Sequence, residues 1–149
     1  MKSSLFLVLI CAALFTSCKN EPKATDSLET VQKISVADTL QLNLNRGDKW
    51  LVNPETHEGV KNMEAIIKKF DLESSTNYKE LGDKLSKQTS YVIKNCTMTG
   101  EPHDQLHVVL VPMLDEISVL RETNNPKLAD VAHDNLKELI QAYFNHFNL

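Results

Sequence analysis

The chain has 149 residues, with 20 acidic against 16 basic side chains and a formal charge of −4. Without a leader this is enough for one domain of ordinary size. The mildly acidic balance argues against nucleic acid as a partner, and against adhesion of the protein surface to anionic lipid.

The first 20 residues read MKSSLFLVLICAALFTSCKN. Lys2 supplies a positive start and Leu5 to Leu14 an apolar stretch. A run of about 10 apolar residues is half of what a bilayer span needs, so it reads as a signal peptide. Phe15-Thr16-Ser17-Cys18 resembles the lipobox of bacterial lipoproteins, with Phe15 where Leu is usual. The resemblance implies a signal peptide over 1–17, a diacylglyceryl group on Cys18 and an acyl chain on its amine. Each buried methylene contributes about 0.8 kcal/mol, so several chains hold a protein firmly on a membrane. Lys19, in place of an inner-membrane retention aspartate, points to the outer membrane and a periplasm-facing domain. Loss of Lys2 with the leader takes the charge from −4 to −5. Cys11 leaves too, and Cys18 carries lipid. Cys96 is then one unpaired thiol in an oxidising compartment.

Residues 18–35 are polar and aperiodic, which predicts a flexible tether, and 36–149 form the domain. Leu40, Leu42 and Leu44 alternate with polar residues at the period of a strand. Asn45-Arg46-Gly47-Asp48 is a turn signal, and Lys49 to Val52 can return as a second strand, giving a short β-hairpin. The Arg-Gly-Asp triplet reads as a plain turn. From Asn53 the period becomes helical, with Asn53 as cap and Pro54 at the first position. The first stripe is His57, Val60, Met63, Ile67 and Phe70. Ser74, Ser75 and Thr76 separate it from Tyr78, Leu81, Leu85, Thr89, Val92 and Cys96. The third stripe runs from His103 through Leu106, His107, Leu110, Met113, Leu114 and Ile117 to Leu120. Pro112 lies inside it and predicts a kink or a division. After Asn124-Asn125-Pro126 come Leu128, Val131, Ala132, Leu136, Leu139, Tyr143, His146 and Phe147. The fold class expected is all-α: an antiparallel up-down-up-down four-helix bundle preceded by the hairpin.

In that topology one end collects the start of the first helix, the end of the second, the start of the third and the end of the fourth. His57, Cys96, Met98, His103, His107 and His146 gather there, and His133 is the one histidine at the other end. His103 and His107, at i and i+4, lie about 5–6 Å apart at Cβ and can share one metal. Cys96 and Met98 come from the adjoining turn. Two imidazoles, a thiolate and a thioether suit copper, and thioether sulfur favours Cu(I). Zinc accepts two His and one Cys but has little use for Met. Haem is chemically possible, though no attachment motif is present. Asp104 and Glu101 can orient a ring N–H. His57 and His146 are candidate additional ligands. Catalysis is not expected. Cys96 sits at a helix C-terminus, where the dipole disfavours a thiolate, and no phosphate loop, nucleophile elbow or zincin motif is present.

The segment Cys-Thr-Met-Thr-Gly-Glu-Pro-His-Asp-Gln-Leu-His (96–107), preceded by Gly-Asp-Lys-Trp-Leu-Val-Asn-Pro-Glu-Thr from Gly47, resembles a pattern in small bacterial lipoproteins. That resemblance covers residues 40–149 and implies a unit, but no activity. The reading drawn from the residues is a lipid-anchored, transition-metal (copper) binding protein of the cell envelope, for storage, delivery or protection. Its partners would be the membrane, through Cys18, and a metal-delivery or envelope protein. The alternatives are a metal-free interaction module and a haem or electron-transfer bundle.

Overall fold

The computed structural model describes residues 35–149. The signal peptide, Cys18 and the tether up to residue 34 lie outside the described residues. The four helices are α1 (Pro54–Leu72), α2 (Tyr78–Asn95), α3 (Glu101–Glu122) and α4 (Pro126–His146). Two short strands flank them, β1 (Trp50–Leu51) and β2 (Phe147–Asn148), and one turn of 3-10 helix, Val36–Thr39, comes first.

The helix starts follow local chemistry. Proline stands at the first or second position of α1, α3 and α4, where a missing N–H costs nothing. Asn77 caps α2 by accepting from the Glu80 N–H at 3.2 Å. Asn125 caps α4 through the Lys127 N–H at 3.0 Å. Gly100 precedes α3 at φ 68°, a conformation that costs glycine little. Pro112 does not divide α3, which runs 22 residues without interruption.

Each helix buries one face. Val60, Met63 and Ile67 of α1 and Leu81, Leu85 and Val92 of α2 match their predicted stripes. So do Leu106, Leu110, Met113, Ile117 and Leu120 of α3. In α4 the phase differs over the first two turns. Leu128 and Val131 are exposed, while Ala129, Ala132 and His133 are buried. α1 packs on α2, α2 on α3 and α3 on α4, while α4 meets α1 across a thinner seam. Gly59 and Gly82 mark two close approaches. A Cβ at Gly59 would collide with the Val92 side chain, and one at Gly82 would lie 2.6 Å from Arg121 Cγ. Both follow from helices pressed together where no side chain intervenes. Among the described residues no helix is long and apolar enough to cross a membrane.

The expected hairpin is reduced to its turn. Asn45 and Asp48 exchange backbone hydrogen bonds of 2.8 and 3.0 Å across Arg46 and Gly47, both at positive φ. That is the two-residue turn whose twist suits a hairpin. The strands do not continue from it. Residues 40–44 run without regular structure, with Leu40 and Leu42 half-buried against the core. Trp50–Leu51 pairs instead in parallel with Phe147–Asn148, Trp50 opposite Phe147. Burial explains the choice. A large apolar side chain gains about 2–3 kcal/mol by full burial, against about 1 kcal/mol for one ladder hydrogen bond. In the observed pairing both Trp50 and Phe147 are buried. The indole N–H still reaches back, donating to the Asn43 carbonyl at 2.6 Å.

Candidate functional site

The end of α2 and the start of α1 are tied by one side chain. Asn53 donates from Nδ2 to the Asn95 carbonyl (3.0 Å) and to Glu55 Oε2 (2.8 Å). Its Oδ1 accepts from the buried Thr56 hydroxyl (2.7 Å) and, at 3.5 Å, from the Thr97 N–H. Residues 95 and 97 are therefore both held by Asn53, and Cys96 lies between them in extended backbone. Asn53 is spent on this clasp and not on capping α1.

The clasp sets where the thiol points. Cys96 Sγ lies 3.6 Å from His103 Nδ1, and the His103 and His107 ring centroids are 4.4 Å apart at 52°. Cys96 and His103 are half-buried and His107 is exposed. The 3.6 Å separation fits an S–H···N contact. It also fits a shared ion: bonds of about 2.3 Å to sulfur and about 2.0–2.1 Å to nitrogen, at a tetrahedral angle, put the two donors about 3.5–3.6 Å apart. Met98, two residues on, is half-buried against the core. Glu101 and Asp104, expected to orient the rings, are exposed in the first turn of α3. Among the described residues no group of three or more His, Cys, Asp or Glu side chains is gathered to hold an ion. The assembled unit is the Cys96–His103 pair with His107 beside it.

The two further histidines expected here are engaged by α4. His57 Nδ1 is 3.4 Å from the hydroxyl of the fully buried Tyr143, and its ring packs edge-on to Phe144 at 5.7 Å. Burial, helped by the nearby Lys61 charge, lowers its pKa below the ordinary histidine value. His146 uses Nδ1 on the Ala142 carbonyl one turn back, at 2.8 Å. That bond takes up Nδ1 alone, and it is the kind of bond that orients a ring whose Nε2 binds a metal.

The sequence reading passed over His133. It is 8 % exposed, and its Nε2 lies 2.9 Å from Asp71 Oδ1 at the end of α1. The two atoms are close but poorly aligned, and Nε2 makes no well-directed hydrogen bond. Phe70 and Tyr78 pack about the ring at 5.4 and 6.1 Å. Burial lowers the His133 pKa, while the Asp71 carboxylate opposes the shift. Beside it the Tyr78 hydroxyl donates to Asp130, which pushes the phenol up to about 12. The signal was available in the sequence. Ala129, Ala132, His133 and Leu136 form a helical stripe as regular as the one chosen.

Together these features define a small four-helix domain with a thiol–imidazole pair at one end of α2 and, at the other, a buried histidine set against an exposed carboxylate. No protein family, curated protein or solved structure matches the chain.

Proposed function

We propose that the chain is a transition-metal-binding protein, with copper the first candidate and zinc the second. Cys96 and His103 are the primary ligands, with Met98 and His107 beside them. One observation carries this reading: a thiol and an imidazole nitrogen, 3.6 Å apart, are held at the spacing that one ion requires. The soft thiolate, with a thioether two residues away, favours Cu(I).

The same reading needs helices that alternate in direction, as in an up-and-down bundle. Contacts along the chain support that arrangement. Asn53 before α1 meets Asn95 at the end of α2, and Lys79 at the start of α2 meets the Arg121 carbonyl near the end of α3 at 3.4 Å. Glu116 accepts from Asn135 midway along α3 and α4, and His57 meets Tyr143 near the end of α4. A lipid on Cys18 would keep the domain at an outer membrane, facing the periplasm, for metal storage, delivery or protection.

The test is a Cu(I) titration of the full chain against a chromophoric chelator, with zinc in parallel. A thiolate-to-copper absorption lost in Cys96→Ser is the expected result. No binding tighter than about micromolar, with full helicity retained, would select a metal-free interaction module instead. That second reading draws on the exposed leucines Leu44, Leu51 and Leu149. A Soret band with haem would select an electron-transfer bundle.

A further inference from the structure

The metal reading leaves the ion half enclosed. Cys96 and His103 fill two positions of a tetrahedral ion, and structural sites of that geometry are closed by four protein ligands. Exposed apolar side chains also lie at this end of the fold. Leu51 is 68 % exposed and Leu149 64 %, and Ile93, one turn before Cys96, is exposed as well. These residues share one end of the molecule. Leu51 pairs with Asn148, next to Leu149, and Val52 donates to the Asn148 carbonyl at 3.0 Å. Asn53, the next residue, holds the carbonyl of Asn95, two residues past Ile93.

We propose that a second copy of this chain covers this end and that the two copies share one ion between their Cys96–His103 pairs. The inference rests on the metal reading and names the partner of that site. Two thiolates and two imidazoles make the S2N2 set that zinc and related ions accept in tetrahedral geometry. A two-fold axis through the ion supplies that set from identical surfaces, since an isologous contact brings each residue near its own counterpart. The exposed Leu51, Ile93 and Leu149 then dry the rim of the contact, where a lone domain leaves them in water. Charges at this end are of both signs, with Arg46 and Asp48 in the turn and the exposed Lys94 and Glu101 on either side of the Cys96 loop in sequence. Two identical faces therefore do not meet with one sign of charge.

The experiment uses the full chain with Cys11→Ser and Cys18→Ser, so that Cys96 is its one thiol, under a phosphine reductant. Zn(II), which takes the same donors without changing oxidation state, is the probe, and Cu(I) is run in parallel. The expected result is a titration endpoint of half an ion per chain. Mass by sedimentation should double at that endpoint and revert with chelator. Adding Cys96→Ser should abolish both changes with helicity unchanged. Leu51→Asp should weaken the mass change at least tenfold in protein concentration. An endpoint of one ion per chain at monomer mass overturns the shared site and leaves the metal reading standing. Failure of both ions to bind overturns the metal reading itself. A dimer indifferent to metal and to Cys96→Ser also overturns the shared ion.

Discussion

The two ends of the domain use histidine in opposite ways. At one end His103 is half-buried and His107 exposed, next to a thiol on a tethered loop. At the other, His133 is enclosed by Phe70 and Tyr78 and set against Asp71. The first arrangement leaves donor atoms open to a ligand. The second sets its ring between α4 and Asp71 at the end of α1, the helix pair with the thinner seam. The difference teaches that residue type alone does not mark a site. What separates them is whether a ligand can reach the polar atoms: His133 is nearly buried, while Cys96 and His103 are half-buried and His107 is exposed.

Six variants and one titration can break or sharpen this contrast. The largest effect is expected from Cys96→Ala with His103→Ala. Metal affinity should fall by about 100-fold or more, while thermal stability changes little, because neither side chain is in the fully buried core. His133→Ala should do the reverse. Removing a nearly buried ring costs about 2–3 kcal/mol in denaturant unfolding, and metal affinity should be unchanged. A loss of metal binding in His133→Ala would end the separation between the two ends. Asn53→Ala should act on both readouts. The loss of three short hydrogen bonds in a partly buried clasp costs about 1–3 kcal/mol. Release of Cys96 should also lower metal affinity by about tenfold, and Asn53→Asp should recover part of it by keeping the acceptor.

The pH dependence of stability carries a definite sign. His133 and His57 both have pKa values lowered from the ordinary 6.5, His133 and His57 alike chiefly by burial. Below about pH 6.5 the unfolded chain therefore binds more protons than the folded one. The contribution of these rings is complete above that pH and is lost as pH falls toward their lower folded values. Thermal melts from pH 8 to pH 5 should show the midpoint dropping in the acid half of that range. His133→Gln should flatten part of the slope. The smallest effect is expected from Tyr78→Phe. The bond to Asp130 lies at the surface, so its loss should cost under about 1 kcal/mol.

Much of this was legible before any coordinates. Apolar spacing of three and four, with proline and asparagine at the boundaries, located all four helices. The Cys96 to His107 segment was legible for the same reason, because its neighbours are joined by a short loop and one helical turn. Three things were not. The hairpin failed because Trp50 pairs with Phe147, a residue 97 positions away in the sequence that no local pattern can nominate. The start of α4 was read one residue out of phase, since Leu128 and Val131 look more apolar than Ala129 and His133. Ala129, Ala132, His133 and Leu136 form an equally regular stripe, and packing of Phe70 and Tyr78 on His133 decides between the two. For His57 and His146, spacing could not reveal the contacts of Nδ1 with the Tyr143 hydroxyl and the Ala142 carbonyl.

The central claim is that Cys96 and His103 together hold a transition metal. X-ray absorption of the copper-loaded chain reads the donor atoms directly. The account predicts a sulfur shell near about 2.3 Å with nitrogen near about 2.0 Å, and loss of that thiolate shell in Cys96→Ser. A spectrum fitted by nitrogen and oxygen alone, and unchanged by that substitution, would contradict it.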